Sequence, residues 1–545
     1  MDRRHYWPVS AGGRMSRRRA LIGSGLSVGS AAILAACGSS GSDDKGTGKR
    51  DRSGLLSAPE DTSKQAKRGG TLKLSTPSIP PSYEPNLAFT GGGGQTIPHS
   101  RLTRAEPGYL KPATRNVIGD VAESWEWSPD RLQITMKLRS DVRFHPLPPV
   151  NGRTLDVDDV LFSWARLKRV GTIRSEFAND INPGAPIVSL TAPDARTVVI
   201  KLAQPVVYLL SMLAHASALP MLPKEMDSQF DPKQQVISSG PFYLSEYKPS
   251  IGVTFKRHPF YHYKDFPFVD QLDMPLIPEY ATGLAQFRSG SIYTYAVRPE
   301  DVLAVKRDVP EMLLYKSEMT TIGGQTIFGW QGNSPFKDER VRQAYSMLMD
   351  RDLIIEVARN VSKFTSEGLP VETRWNSNLQ CTFDGWWLDP QSKDFGPNAK
   401  YFVRNVPEAK RLMAAAGYAS GVDIISSHIT TNEYGTDFPK MVEVVEGMMA
   451  EGGFRFKKNI VNYASEFIPR YRDGKGNFEG LSYKRGPTPP ADDAVAYLMF
   501  FNYSQGGVAF YGYDANGKGD NSGDRRSTIS FSKPGAKSIP RSARG

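Results

Sequence analysis

Gly119-Asp120-Val121-Ala122-Glu123-Ser124-Trp125-Glu126-Trp127-Ser128-Pro129-Asp130 opens a run that continues through Leu138-Arg139-Ser140-Asp141-Val142-Arg143-Phe144-His145 to Asp156-Val157-Asp158-Asp159-Val160-Leu161-Phe162-Ser163-Trp164. The first part reads as a strand closed by a Ser-Pro-Asp turn, because proline presets a turn dihedral and the short polar side chains bond their own backbone. Gln133-Ile134-Thr135-Met136-Lys137-Leu138 then alternates apolar and polar strictly, the pattern of a half-buried strand. The last part reads as a helix whose first turn is capped by Asp156 or Asp158, since a carboxylate there accepts from free backbone N–H groups.

The same two periods recur on either side. Thr71-Leu72-Lys73-Leu74 and the β-branched Thr197-Val198-Val199-Ile200-Lys201-Leu202 read as strands. Helical spacing runs over Asp158–Leu167, Val341–Met349, Pro407–Ala415 and Met441–Met449, with Gly417 suited to a left-handed cap. Strands interleaved with helices predict a mixed α/β class. No short-period repeat interrupts this pattern.

The N-terminus carries different information. Arg17-Arg18-Arg19 precedes an apolar, small-residue run from Ala20 to Ala36, which is too short for a comfortable membrane span and reads as an export signal. Met15 would start a signal of ordinary length. Leu34-Ala35-Ala36-Cys37 resembles a bacterial lipobox, which implies acylation of Cys37, and Ser16-Arg17-Arg18-Arg19-Ala20-Leu21 resembles the twin-arginine motif with Ala20 in place of the usual aromatic. Residues 38–69 are polar and Gly/Ser-rich, so a flexible tether is expected there, with the folded body over 70–513. From 514 to 545 Gly, Ser, Lys and Arg dominate, which predicts a disordered or truncated tail.

Composition excludes several classes of function. The chain has 545 residues, 39% hydrophobic and 10% aromatic, enough for several cores. Its formal charge is +11, of which residues 1–37 carry +5, and the remaining basic residues alternate with acids without forming a stripe. Nucleic acid is therefore not expected as a partner. The two cysteines are Cys37 and Cys381, so a lipidated Cys37 leaves no intrachain disulfide. No catalytic constellation, metal set or cofactor motif emerges: His258 and His262 are spaced i, i+4, but Pro259 argues against a helix, and Gly91-Gly92-Gly93-Gly94 lacks the Lys-Ser/Thr of a phosphate cradle.

The order of motifs resembles the extracytoplasmic solute-binding proteins of ABC importers, in the family of oligopeptide-, dipeptide- and nickel-binding proteins. Beyond the opening run, it continues through Ala192-Pro193-Asp194-Ala195-Arg196-Thr197, Ser239-Gly240-Pro241-Phe242-Tyr243-Leu244 and Arg257-His258-Pro259-Phe260-Tyr261. Ser334-Pro335-Phe336-Lys337-Asp338-Glu339-Arg340-Val341-Arg342-Gln343-Ala344 and Pro407-Glu408-Ala409-Lys410-Arg411-Leu412 extend it across roughly residues 68 to 505. The resemblance implies a two-lobed α/β body with an extra N-terminal subdomain, a hinge crossed near 320–330 and 480–490, and closure over a solute. It further implies a monomeric, non-enzymatic receptor that delivers peptides or similar solutes to a membrane permease. A non-peptide solute such as an opine-like anion, an oligosaccharide or a nickel chelate is the alternative, and an extracytoplasmic chaperone or sensor is a reading from another class.

Aromatic planes suit a solute pocket because they give contact area without a tight fit to one side chain. Trp330, Trp375, Trp386 and Trp387 lie near expected loops, and Trp330 stands closest to a crossing. Peptide-binding relatives place an aspartate after the second crossing, whereas this chain has Gly480-Leu481-Ser482-Tyr483-Lys484-Arg485-Gly486-Pro487 and then Asp492-Asp493. Tyr483, Lys484, Arg485, Asp492 and Asp493 are thus candidate ligand contacts. The Lys484-Arg485 pair would favour an anionic group on the solute, while Asp492 or Asp493 could simply cap a following helix.

Overall fold

In a computed structural model of the chain, the described residues are 51–485, except 81, 87–93, 108–115, 183–184, 216–217, 234, 317–323, 384, 436, 473 and 475, together with 494, 497 and 498. Cys37, Asp492, Asp493 and the expected tail therefore lie outside the described residues.

The N-terminal half is built on two sheets. In the first, β1 (Thr71–Lys73) pairs parallel with β10 (Gln271–Pro275), followed by antiparallel β9 (Gly252–Arg257) and β8 (Phe242–Lys248). Phe242, Val253, Phe255 and Leu272 pack beneath it against Tyr83. The second sheet is wholly antiparallel, in the order β4 (Ala122–Trp127), β5 (Gln133–Leu138), β7 (Thr197–Leu202), β6 (Ile187–Asp194). Its alternation holds as read: Ile134, Met136 and Leu138 are buried, as are Val198, Ile200 and Leu202 on the neighbouring strand. A short ribbon joins β2 (Thr103–Ala105) to β3 (Val117–Gly119).

Helix α1 (Val157–Val170) lays Val160, Trp164 and Leu167 on the same core. Of the two expected capping residues, Asp156 is the one that caps: its carboxylate accepts from the Asp158 and Asp159 amides, while Asp159 Oδ2 accepts from the Asp156 amide at 2.9 Å. This reciprocal arrangement satisfies donors that the first helical turn cannot use internally.

The C-terminal half centres on a four-stranded sheet in the order β11 (Gly324–Phe328), β14 (Leu481–Arg485), β12 (Val422–His428), β13 (Phe454–Ile460). Strands β14, β12 and β13 run parallel, and β11 is antiparallel to β14. Helices α3 (Glu339–Leu348), α5 (Val406–Ala415) and α6 (Phe438–Ala450) bury Val341, Tyr345, Leu348, Leu412, Met413, Val442 and Met449 in one core with Phe454. The Phe328 and Phe336 rings stack there at 4.5 Å. Asn405 caps α5 by accepting from the Glu408 amide, and Gly417, at φ +93°, makes the left-handed exit anticipated for it.

One boundary moves. The stretch expected as a tether is bonded to the body from residue 51 onward: the amides of Arg52, Ser57 and Gly69 donate to the carbonyls of Gly368, Leu314 and Phe268 at 2.9, 2.7 and 2.9 Å. A polar composition predicts poor core formation, but backbone hydrogen bonds need no apolar side chain, so the segment can lie along a surface made by others.

Candidate functional site

Open sheets with parallel strands leave a crevice outside their carboxyl ends, where loops diverge and ligands bind. In the C-terminal half that edge is marked by His428, Ile460 and Arg485, the last residues of β12, β13 and β14. The loop after β12 brings Asp437 against Arg485, and the two form an ion pair with both side chains partly exposed. Gly435 permits this approach. Its φ is +91°, and a Cβ there would stand 2.7 Å from an Arg485 guanidinium nitrogen.

Asp437 occupies the N-cap position of α6, yet its carboxylate makes no capping bond. An aspartate at such a position ordinarily satisfies its own helix; here the carboxylate is turned to Arg485 instead. Sequence reading missed Asp437, and its place just before Phe438-Pro439 was the available signal. Arg359, at the end of α4 (Arg351–Arg359), lies close enough to interact electrostatically with Arg485, and burial lowers its pKa.

The basic pair does not act as a unit. Successive strand residues point to opposite faces, and both faces of β14 are covered, so Lys484 is fully buried beside Gln325 on β11 while Arg485, the last residue of the strand, reaches Asp437. Tyr483 faces α3, is 4% exposed, and its hydroxyl takes a hydrogen bond from that of Tyr345 at 3.1 Å. Burial raises the Tyr483 pKa well above its ordinary value. Both Tyr483 and Lys484 are therefore interior residues, and Arg485 alone of the three stands partly exposed at the carboxyl edge of the sheet.

The tryptophans also separate. Trp330 is 4% exposed and belongs to the C-terminal core, with Gly476 so close that a Cβ there would lie 2.6 Å from the indole. It packs rather than lines an opening, because the chain segment near residue 476 closes over it. Trp375 is held by its Nε1–H donating to Asp352 Oδ1 at 2.7 Å, and Trp387 Nε1–H donates to the Trp375 carbonyl at 3.0 Å. Trp386 is the exposed member, on the turn after Gly385.

Two further groupings bear on chemistry. Ser426 donates to Glu446 and lies 3.2 Å from His428 Nδ1, but all three are buried and the serine hydroxyl is committed to the carboxylate. Such a grouping offers no nucleophile to a substrate. His258 and His262 do not converge on one point: their Nε2 atoms meet the Arg143 carbonyl and Asp120 Oδ1, at 2.9 and 3.1 Å. Among the described residues no three His, Cys, Asp or Glu side chains could jointly hold a metal ion, and no helix is long and apolar enough to cross a membrane. A groove of about 720 Å³ lies on the open face of the β1-β10-β9-β8 sheet, lined by Lys73, Thr254, Lys256, Asp273 and Gln286. It involves none of the candidate ligand contacts named from sequence.

Known proteins are similar over most of the chain. The dipeptide-binding protein DppE of Bacillus subtilis (strain 168) is 24% identical over 381 residues, 64% of this chain and 62% of that protein, so the match spans less than two thirds of that relative. The periplasmic binding protein DppA from Helicobacter pylori, solved with the peptide STSA, superposes with a TM-score of 0.69 at 18% identity, covering 89% of this chain and 90% of that one. AgaA from A. tumefaciens R10, solved with agropinic acid, superposes at 0.62 with 21% identity, over 85% and 88%. These likenesses give the two-lobed α/β fold of periplasmic binding proteins, as the motif order implied. The family model for bacterial extracellular solute-binding proteins, family 5, matches residues 116–507, and the chain belongs to that family.

Proposed function

We propose that this chain captures a peptide, or a similar small solute bearing a carboxylate and an ammonium group, outside the cytoplasm and delivers it to the membrane subunits of an ABC importer. The observation that carries this reading is the Arg485–Asp437 pair at the carboxyl ends of β12 and β14. A solute with both charges can exchange that internal pair for two external ones, its carboxylate on the guanidinium and its ammonium on Asp437. Closure of the two lobes about a hinge near 320–330 and 480–490 would then be a population shift driven by tighter contacts in the closed form.

Native mass spectrometry of the purified body should identify a co-purifying solute. Adding it back at a hundredfold excess over its dissociation constant should stabilise the fold by about 2.7 kcal/mol. Arg485→Ala should weaken binding by about 1.5–3 kcal/mol if the solute's carboxylate sits there. An anionic, opine-like solute is the second reading, favoured by a guanidinium at the crevice; it separates from the first because Asp437→Asn would then tighten binding instead of weakening it. A solute whose affinity ignores both substitutions removes this pair from the site.

Cys37 is proposed as the lipidated N-terminus after cleavage, following an export signal and preceding a polar tether, with export through a twin-arginine or general route. Cys37→Ser should leave the protein soluble or unprocessed in cell fractionation. Retention of a processed form that still needs detergent for release would rule out this anchor.

A further inference from the structure

A second feature of the N-terminal half lies apart from the crevice. Three imidazoles are buried where the antiparallel layer meets the other sheet: His99, His145 and His258 are 6, 0 and 2% exposed. The His145 and His258 rings contact edge to face at 5.0 Å. His145 follows β5, His258 follows β9, and His99 precedes β2, so the cluster joins three separate segments.

The hydrogen bonds fix the protonation state of His145. Its Nδ1 accepts the Ser238 amide at 3.1 Å, so that nitrogen carries no proton, and its Nε2–H points to the Gly240 carbonyl at 3.3 Å. A second proton would have to land on Nδ1, head-on to the Ser238 N–H. His258 Nε2–H donates to the Arg143 carbonyl at 2.9 Å, while its Nδ1, and both ring nitrogens of His99, have no hydrogen-bond partner among the described residues. Among the described residues no acceptor is in place for any added proton.

The surroundings oppose extra positive charge. Arg101 and Arg143 lie near His99 and His258, and His215 also lies near Arg101. Arg153 stacks on Phe144 with its own charge paired to Asp159 and Glu225, and Arg104 and Arg139 stack on Tyr263. The Tyr243 ring faces His145, and the Tyr261 ring faces His262. The nearby carboxylate, Asp120, is already engaged by His262 Nε2 and the Arg101 amide. Burial accordingly pushes His258 down to about 4 and His99 to about 3, and lowers His145 well below its ordinary value.

We propose that His145 and His258 form an acid-released latch that holds the Arg143–His145 segment of the antiparallel layer to the ends of β8 and β9. The latch is closed when the imidazoles are neutral and opens as they are protonated. The sign follows from linkage: the open state takes up protons below the ordinary histidine value near 6.5, the closed state does not, and stability is lost as pH falls from about 6.5 toward the folded-state values. The device is independent of which solute the crevice binds.

Hydrogen exchange at the Ser238 amide, corrected for intrinsic exchange, reads the opening directly. Between pH 6 and pH 5 each imidazole freed by opening raises the opening constant about eightfold, so His145 and His258 together give about sixtyfold. His258→Gln keeps a donor for the Arg143 carbonyl without titrating, and should reduce the ratio to about eightfold. His145→Asn keeps an acceptor for the Ser238 amide; combined with His258→Gln it should leave a ratio near one. A wild-type ratio below about threefold overturns the latch, and so does an undiminished ratio in a folded His258→Gln protein. Should the double variant fail to fold, the wild-type and single-variant ratios still decide.

Discussion

Glu84→Ala is expected to destabilise the protein by about 3–5 kcal/mol, because it removes one partner of a buried ion pair and strands the other. Arg166, on the inner side of α1, gives two parallel hydrogen bonds to Glu84 at 2.6 and 2.7 Å, and both side chains are almost entirely buried. The same guanidinium reaches Asn86 at 2.5 Å and Asp227 at 2.9 Å. Burial alone would lower the Arg166 pKa, but Glu84 and Asp227 outweigh it and the net shift is upward. The group thus stays charged, and without Glu84 only the more exposed Asp227 opposes its charge. Glu84 itself lies between β1 and β2 and ties that connection to α1. Urea unfolding at neutral pH measures the loss; a change under about 1 kcal/mol would mean that solvent reaches the site and the burial is apparent only.

That network shows what was and was not legible from sequence. Period and capping are local, so the β5 alternation, the α1 cap and the Gly417 exit could be read directly. Arg166 and Glu84 are 82 positions apart, and nothing in either neighbourhood announces the other. The Arg485–Asp437 contact spans 48 positions and was invisible for the same reason. The treatment of Lys484 and Arg485 as one anion-binding pair is a different failure. Strand period alone puts neighbours on opposite faces, and applying it to the β-branched-poor but paired segment Leu481–Arg485 would have separated them. Arg485 survives as a site candidate because it is the strand's last residue and partly exposed, while Lys484 and Tyr483 are enclosed. The tether boundary moved because backbone hydrogen bonding to a distant surface leaves no trace in composition.

Trp330→Ala is expected to cost about 3–5 kcal/mol, as for a large aromatic removed from a packed core, with solute affinity retained by the protein that remains folded. Location near a crossing made Trp330 the favoured pocket residue from sequence, but its side chain packs with the buried residues around β11 and β14 and is covered by Gly476. The two roles predict different pairs of measurements. A core tryptophan replaced by Phe leaves a small void and loses modest stability, while a solute on the far side of the sheet edge is unaffected. A pocket tryptophan replaced by Phe keeps stability and loses contact area with the solute directly. Thermal unfolding and calorimetric titration of Trp330→Phe and Trp330→Ala, set beside Trp386→Ala as an exposed aromatic, distinguish them. Tenfold weaker binding by Trp330→Phe at near-unchanged stability would return Trp330 to the pocket and show that the segment around Gly476 moves aside when solute enters.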